Sequence, residues 1–212
     1  MFHLFNLFIR LLIAKCNYFD EINFKRLELD IEMDIRHMNP SDWSQVKEIY
    51  EEGIKSKNAT FETQAPTFEK WMEAAHPQCH LVVEENNQVL AWAKVLFTSA
   101  RAVYAGVGEV SIYVHPNAKG KGVGSKLLQE LITVSEQQGF WTLKAVIFPE
   151  NVASINLHKK CGFRVVGTHE KMGKMDGVWR DNVVMERRSN IVGVDEDSRK
   201  KRKSGLLSLF FE

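Results

Sequence analysis

The stretch Val114-His-Pro-Asn-Ala-Lys-Gly-Lys-Gly-Val-Gly-Ser-Lys-Leu-Leu128 decides how the rest of the chain is interpreted. Gly120, Gly122 and Gly124 stand at every second position between a β-rich segment and a helical one. Glycines let backbone N–H groups approach a ligand closely and adopt positive φ, and the helix that follows adds the positive end of its dipole. The loop is therefore predicted to bind an anion such as pyrophosphate. Three lysines add mobile positive charge: Lys119, Lys121 and Lys126.

The spacing of these glycines excludes two common nucleotide-binding loops. A Walker A loop has the order G-x-x-x-x-G-K-[ST], whereas Gly124-Ser125-Lys126 places the serine before the lysine. A dinucleotide fingerprint has the order G-x-G-x-x-G, which the three glycines also do not match. A ligand other than ATP or NAD is indicated, although a flexible basic turn remains the alternative for this pattern taken alone.

The glycine loop lies in the middle of a regular series of predicted strands and helices. Periodicity predicts strands over 34–38, 80–84, 89–97, 109–115, 143–148, 163–168 and 182–187, and helices over 41–52, 67–75, 124–138 and 152–161. The order β-α-α-β-β-β-α-β-α-β-β predicts an α/β (α+β) fold, with a mixed central sheet flanked by helices. Its central strand-loop-helix-strand unit is expected to be a right-handed crossover.

Composition limits the class of protein further. The chain has 212 residues, with 28 Lys and Arg against 27 Asp and Glu, so its formal net charge is only +1. This length fits one core, and this charge argues against a nucleic-acid partner. The three cysteines are far apart and form no metal-binding motif, which favours a reducing, cytoplasmic location and no metal. No apolar run approaches the roughly 20 residues that span a bilayer, so an integral membrane protein is excluded.

The two ends differ from the middle. Residues 1–32 are predicted to be an appendage, as a docking helix, a product of an upstream start or, less favoured, a helix on a membrane surface. Residues 33–188 form the predicted domain. Residues 189–212 contain five consecutive basic residues, 199–203, and are expected to be a solvated, disordered tail, with a targeting or anionic-surface patch as the alternative.

Two motifs together resemble the Gcn5-related N-acetyltransferase (GNAT) superfamily. The coenzyme A signature [RQ]-x-x-G-x-[GA] is met by residues 119–124, except that Lys119 replaces the usual first residue. The pattern N-x-x-S-x-x-x-[YH]-x-x-x-G-F is met at every position, by Asn151, Ser154, His158, Gly162 and Phe163. The GNAT fold and acetyl-CoA as co-substrate are what this resemblance implies.

The resemblance narrows to the phosphinothricin and methionine sulfoximine acetyltransferase subgroup. Three further runs carry it: Asn58-Ala-Thr-Phe-Glu62, Arg101-Ala-Val-Tyr104 and Gly177-Val-Trp-Arg-Asp181. It covers residues 33–188 and implies direct acetyl transfer in a ternary complex, with a homodimer as a possible assembly. By the resemblance, the coenzyme would be held by these residues: Ile112, Tyr113, Val114, Lys119, Gly120, Lys121, Gly122, Val123, Gly124, Ser125, Asn151 and Ser154.

Acyl transfer to an amine also needs proton transfer. An amino group with a pKa near 7.7 to 8.0 is mostly protonated at neutral pH, so a base must accept its proton. The resemblance assigns this role to Glu109, acting through a water, and assigns His158 as the general acid for the departing thiolate. A surface carboxylate and a structural histidine packed beside Phe163 are the alternatives, and His115 and His169 are less well placed imidazoles.

An amino-acid acceptor also needs a cation for its carboxylate. The planar guanidinium of Arg101 fits that need. The acceptor pocket is expected to include Phe61, Glu62, Arg101, Tyr104, Ser111 and Trp179, although Phe61 and Trp179 could equally be core aromatics. The acceptor is therefore predicted to be a small amine of the phosphinothricin, methionine sulfoximine or methionine sulfone type. The alternatives are another amine (a polyamine, an antibiotic or a protein N-terminus) and a non-catalytic acyl-CoA sensor.

Overall fold

Strands and helices follow the predicted order in the structure, a computed structural model that describes residues 33–73 and 75–194. The strands are β1 (Asp34–His37), β2 (Ala75–Glu85), β3 (Gln88–Phe97), β4 (Val107–Val114), β5 (Thr142–Ile147), β6 (Arg164–Met175) and β7 (Val178–Arg188). The α-helices are α1 (Trp43–Lys55), α2 (Phe68–Glu73), α3 (Val123–Gln137) and α4 (Val152–Lys160). The appendage predicted at residues 1–32 and the basic run at 199–203 lie outside the described residues.

The strands form one sheet in the order β1-β2-β3-β4-β5-β7-β6. Strand β4 runs parallel to β5, whereas β2–β3, β3–β4, β5–β7 and β6–β7 are antiparallel pairs. The parallel pair is joined by the glycine loop and α3, which is the predicted crossover. The predicted mixed sheet flanked by helices is confirmed.

Helices cover the first half of the sheet. Val46 and Ile49 of α1 and Trp71 of α2 pack with Val82 and Trp92 of the sheet, and each of these side chains is buried. Helix α3 contacts β2, β3 and β4, and buries its apolar stripe completely, at Leu127, Leu128 and Leu131. Because α3 keeps its glycine-loop end beside the last residues of β4, this packing fixes the position of the loop.

Several predicted element boundaries differ from the structure, most clearly those of α2, β2 and the last two strands. Helix α2 was expected over 67–75, but it ends at Glu73 and Ala75 already pairs with Leu96 of β3. Alanine favours helix, but Pro77 cannot continue one. Ala75 therefore belongs to β2, where pairing with β3 stabilises the extended conformation. The last two strands are longer than predicted because Asp176 and Gly177 form a tight turn with φ of 48° and 83°. Asp-Gly is a strong sequence signal for a two-residue hairpin turn.

The sheet opens between β4 and β5. These strands pair only from Val107↔Thr142 to Glu109↔Lys144, although β4 continues to Val114 and β5 to Ile147. On its other side β4 stays paired with β3 up to Ala91↔Val114. Residues 110–114 therefore have no partner strand on the β5 side, and a gap opens directly beyond Glu109.

The polypeptide after β7 folds back on the domain. Ser189 is buried, its N–H donates to the Trp141 carbonyl at 2.8 Å, and its hydroxyl accepts from the N–H groups of Ile191 and Val192. The Arg188 guanidinium donates to the carbonyls of Trp141 and Gly193, both at 2.6 Å. Regular strand ends at the predicted boundary, and residues 189–193 form a hydrogen-bonded turn beyond it. None of the helices described here is long and apolar enough to cross a bilayer.

Candidate active site

A cleft of about 590 Å³ begins where β4 and β5 separate. Four parts of the chain form its walls: the end of β4 with the residues that follow it, the glycine loop with the start of α3, the second half of α1 with the loop after it, and α4 with its cap residue. The predicted coenzyme residues in these walls are Ile112, Tyr113, Val114, Lys119, Gly120, Gly122, Val123, Gly124, Ser125, Asn151 and Ser154. Of the predicted coenzyme set, Lys121 alone is not part of the described lining. The structure thus brings two distant sequence motifs together at one cleft.

The glycine loop presents backbone amides to this cleft. Gly120 and Gly122 have φ of 78° and 79°, a conformation that other residues rarely adopt. Within the described part of the chain, the N–H groups of residues 120–124 find no backbone carbonyl acceptor, whereas those of Ser125 and Lys126 donate to the Gly122 carbonyl. Free amides at the positive end of a 15-residue helix are suited to an anionic group such as pyrophosphate.

Two further glycines allow close packing around the cleft. A Cβ on Gly124 would lie 3.3 Å from Val114 Cγ2 and 3.4 Å from Leu157 Cδ2. A Cβ on Gly53 of α1 would lie only 2.5 Å from the Tyr113 ring. Sequence reasoning missed the contribution of α1 to the cleft, and a glycine inside a helix was the signal that could have found it. Other lining residues that it missed are Ile49, Glu52, Ser56, Asn58, Ala59, Pro116, Ala118, Ala153, Asn156, Leu157 and Lys160.

Helix α4 carries the predicted Asn151, Ser154 and His158. The Asn151 side chain caps the helix by accepting from the Ser154 N–H at 3.2 Å. His158 is only 2% exposed, packs edge-on against Phe163 at 5.0 Å, and lies one layer behind the cleft wall. Its Nδ1 is 2.8 Å from the Ser154 carbonyl, so Nδ1 carries hydrogen, and it is 3.4 Å from the Ser154 hydroxyl.

Burial shifts the pKa values of His158 and Glu109 in opposite directions. Burial lowers the pKa of His158, and the hydrogen bond to Ser154 offsets this only in part. Its Nε2 is buried and has no partner among the described residues. Burial raises the pKa of Glu109, with a smaller opposing effect from Lys144, its neighbour on β5. A raised pKa makes this carboxylate a stronger base, at the point where the two strands separate.

The predicted acceptor residues lie on several different elements of the fold. Phe61 packs edge-on against Phe148 at 4.7 Å, and Glu62 beside it is exposed. Arg101 and Tyr104 lie in the β3–β4 loop, with the guanidinium 5.3 Å from the ring centroid, and Arg101 borders a second, shallow depression. Trp179 is 55% exposed on β7. Ser111 is half-buried on β4, where it shares a face with Glu109 and Tyr113.

No group of three or more His, Cys, Asp or Glu side chains in residues 33–73 and 75–194 is placed to hold a metal ion. The chemical groups at the candidate site are backbone amides, the Glu109 carboxylate, the His158 imidazole and hydroxyl groups.

Comparison with known proteins identifies the family. The acetyltransferase (GNAT) family model matches residues 43–163, which contain both motifs, the glycine loop and Glu109. The chain belongs to the GNAT family. The predicted fold class and the predicted N-acetyltransferase activity are thereby confirmed.

Individual GNAT relatives are similar over most of the described residues. The L-methionine sulfoximine/L-methionine sulfone acetyltransferase of Salmonella typhimurium is 31% identical over 159 residues, 73% of this chain and 93% of that protein. A phosphinothricin acetyltransferase from Sinorhizobium meliloti, solved in complex with acetyl-CoA, has a TM-score of 0.71 at 28% identity, covering 77% of this chain and 92% of that one. A ribosomal-protein-alanine N-acetyltransferase from Brucella melitensis has a TM-score of 0.69 at 30% identity, covering 74% and 100%.

Proposed function

We propose that this GNAT enzyme transfers the acetyl group of acetyl-CoA to the amino group of a small amino-acid-like acceptor, of the methionine sulfoximine or phosphinothricin type. Acetyl-CoA is the co-substrate, and its thioester supplies the activated acetyl group. The observation that carries the proposal is the gap between β4 and β5, which opens directly beyond the half-buried carboxylate of Glu109 and leads to the amide-lined anion site.

Glu109 is the proposed general base. The acceptor arrives largely as an ammonium ion, and Glu109 removes a proton from it through a bridging water. The free amine then forms a C–N bond with the acetyl carbon, and the C–S bond breaks. Unpaired backbone N–H groups of β4 beyond Glu109 are the proposed donors to the oxyanion that forms between these two events.

His158 is the proposed source of the proton that the departing sulfur needs. Because it lies behind the cleft wall, it would act through the Ser154 hydroxyl, which is 3.4 Å from Nδ1 and belongs to a cleft-lining residue. Starting from the imidazolium ion, Nδ1 gives its hydrogen to Ser154 Oγ, and Ser154 gives its own hydrogen to sulfur. The ring ends neutral, with its hydrogen on Nε2.

The acceptor class is supported by the named relatives and by an exposed arginine. The Salmonella typhimurium relative is named for methionine sulfoximine and the Sinorhizobium meliloti enzyme for phosphinothricin, and both candidates are zwitterionic amino acids. Arg101 is exposed and offers a planar cation for an α-carboxylate. The Brucella melitensis protein is named for ribosomal-protein alanine, so a peptide with an N-terminal alanine is the second candidate acceptor.

A thiol-release assay with acetyl-CoA tests the proposal. The panel contains methionine sulfoximine, methionine sulfone, phosphinothricin, spermidine and an Ala-initiated peptide, and binding of acetyl-CoA is measured separately by calorimetry. We expect kcat/KM for at least one amino-acid analogue to exceed that for spermidine and the peptide by about tenfold or more. Faster turnover of the peptide or of spermidine would show that the acceptor is a peptide or a polyamine and not an amino-acid analogue. Binding of acetyl-CoA without turnover of any acceptor would support a sensor instead.

A further inference from the structure

Three consecutive carbonyl groups in the loop after α1 are held by three side chains from different parts of the fold. The Lys57 carbonyl accepts from Arg180 Nη1 at 3.2 Å, and the Asn58 carbonyl accepts from Asn151 Nδ2 at 2.9 Å. The Ala59 carbonyl accepts from the Tyr113 hydroxyl at 3.4 Å. We refer to these three hydrogen bonds as the 57–59 clamp.

Two of the three side chains that donate in the clamp also line the coenzyme cleft, and so do Asn58 and Ala59, whose carbonyls accept from them. Asn151 caps α4 and Tyr113 lies on β4, and both belong to the cleft wall. The loop that they hold continues directly to Phe61 and Glu62, the predicted acceptor residues. The clamp therefore connects the wall of one substrate site to residues of the other.

Arg180 is the member of the clamp that lies outside the coenzyme cleft. Its Nη2 donates to Glu150 Oε2 at 3.0 Å, and its guanidinium lies 4.4 Å from the centroid of the Phe148 ring. Glu150 precedes Asn151 in the chain, so Arg180 and Asn151 are also tied to each other through this ion pair. Only 17% of the Arg180 side chain is exposed. These contacts fix the guanidinium under the loop.

The loop needs such support because its own backbone is strained. Lys57 has φ of 52°, a left-handed conformation that costs free energy in a residue other than glycine. The Lys57 carbonyl accepts from Arg180, and the Lys57 side chain forms an ion pair with Asp176 at the β6–β7 turn. Phe61 also packs against Gly173, where a Cβ would lie 2.7 Å from its ring. The C-terminal hairpin thus holds the loop at several points.

We infer that Arg180 is a positioning residue for the acceptor, acting through the 57–59 clamp to set the place of Phe61 and Glu62. This inference rests on the proposed function, because it assigns Phe61 and Glu62 to the acceptor side. The inference predicts different effects on the two substrates. Loss of Arg180 raises the acceptor KM and leaves the pyrophosphate site of the coenzyme intact.

The test compares Arg180→Ala with Arg164→Ala. Arg164 is a matched control, since it also pairs with a glutamate, Glu186, but lies on β6 away from the loop. We expect Arg180→Ala to raise the acceptor KM about tenfold, the effect of one charge-assisted hydrogen bond, with the acetyl-CoA Kd within about twofold of the unsubstituted enzyme. Arg180→Lys should recover part of the loss. Arg164→Ala should change neither quantity.

Hydrogen–deuterium exchange gives a readout that does not depend on the acceptor. We expect Arg180→Ala, and more weakly Glu150→Gln, to speed amide exchange in residues 57–62 but not in 119–126. If the unsubstituted enzyme turns over an amino acid while Arg180→Ala keeps its KM, the inference is wrong and the function stands. If the enzyme turns over no acceptor, the function has failed, and unchanged exchange at residues 57–62 then overturns the clamp as well. Should Arg180→Ala not fold, Glu150→Gln and Arg180→Lys carry the same comparison.

Discussion

The coenzyme side and the acceptor side of this enzyme are built from different materials. Backbone amides of residues 120–124 and the unpaired end of β4 form the proposed coenzyme side, and the positions of these groups follow from glycine φ angles and strand pairing. Side chains on loops and on the C-terminal hairpin form the predicted acceptor side. A site made of backbone depends on few side chains, so it tolerates Lys119 in place of the usual residue. The acceptor side depends on how each loop is held.

Substitution of Glu109 tests whether chemistry is located at the boundary of the two sides. We expect Glu109→Gln to lower kcat by about 100- to 10,000-fold, because the amide cannot accept the ammonium proton. The acetyl-CoA Kd should stay unchanged, since Glu109 does not line the coenzyme cleft. Steady-state kinetics and calorimetry check these two quantities. A variant with nearly full kcat would show that Glu109 is a structural carboxylate.

The proton relay predicts coupled losses on the coenzyme side. We expect His158→Asn and Ser154→Ala each to lower kcat by about 10- to 100-fold, and the double variant to lose little more than either, because one proton path is broken once. Asparagine can still donate to the Ser154 carbonyl, so the helix turn is preserved. His115→Asn and His169→Asn are the matched controls. Full activity in His158→Asn would leave the imidazole a structural role beside Phe163.

Acid pH should favour the relay if His158 starts as an imidazolium ion. Because burial lowers the pKa of His158, its protonated fraction falls as pH rises through that lowered value. The pH dependence of kcat should therefore contain a limb that His158→Asn removes.

A single substitution in the glycine loop should weaken coenzyme binding without affecting the acceptor side. Gly122 has φ of 79°, and a β-branched residue is strained there. We expect Gly122→Val to weaken acetyl-CoA binding by about tenfold, with little change in the acceptor KM at saturating acetyl-CoA. Gly139→Ala is a useful control, because Gly139 also has positive φ but lies at the far end of α3. Equal weakening in both variants would point to a general loss of stability.

A buried lysine under α2 should make stability depend on pH. Lys94 donates to the Trp71 carbonyl at 2.7 Å, and burial lowers its pKa to about 7. The unfolded chain binds this proton up to about pH 10.5, so between pH 7 and 10.5 the folded state binds fewer protons and the free energy of unfolding rises with pH. We expect a rise of about 2 to 3 kcal/mol from pH 7 to pH 9 that Lys94→Met abolishes.

Urea unfolding of both proteins at the two pH values measures this difference. Lys47→Met, at an exposed lysine of α1, is the control and should retain the rise. Parallel stability curves for Lys94→Met and the unsubstituted protein would show that the Lys94 amine is hydrated in the folded state.

The sequence carried most of the fold and the coenzyme side. Strand and helix order followed from periodicity, and the glycine loop was located because glycine at alternate positions has a direct conformational meaning. The walls contributed by α1 were missed, since its polar residues look like an ordinary solvated face. Arg180 was quoted as part of a motif but given no role. Its partners, Lys57 and Glu150, are distant in sequence, and no local pattern reports which carbonyl a guanidinium reaches.

The arrangement of the acceptor side could not be predicted from the sequence. Arg101, Phe61 and Trp179 occupy three different loops or strands, and their separation depends on tertiary contacts that spacing does not encode. The roles of these residues, and the homodimer, stay predictions. Strand β6 is exposed along nearly its whole length and carries Val165, Val166 and Met172 on the surface, which makes it the natural place to look for such an assembly.

The early end of β4–β5 pairing gives the sheet an edge in its own interior. The outer edges at β1 and β6 can meet any passing strand, and exposed edges of that kind are where sheets join and aggregate. The interior edge is different, because residues of α1 and α4 line the cleft beside it. An amide-containing ligand arm can lie there as a short substitute strand, so the enzyme gains a receptor for one molecule without gaining a surface that recruits other proteins.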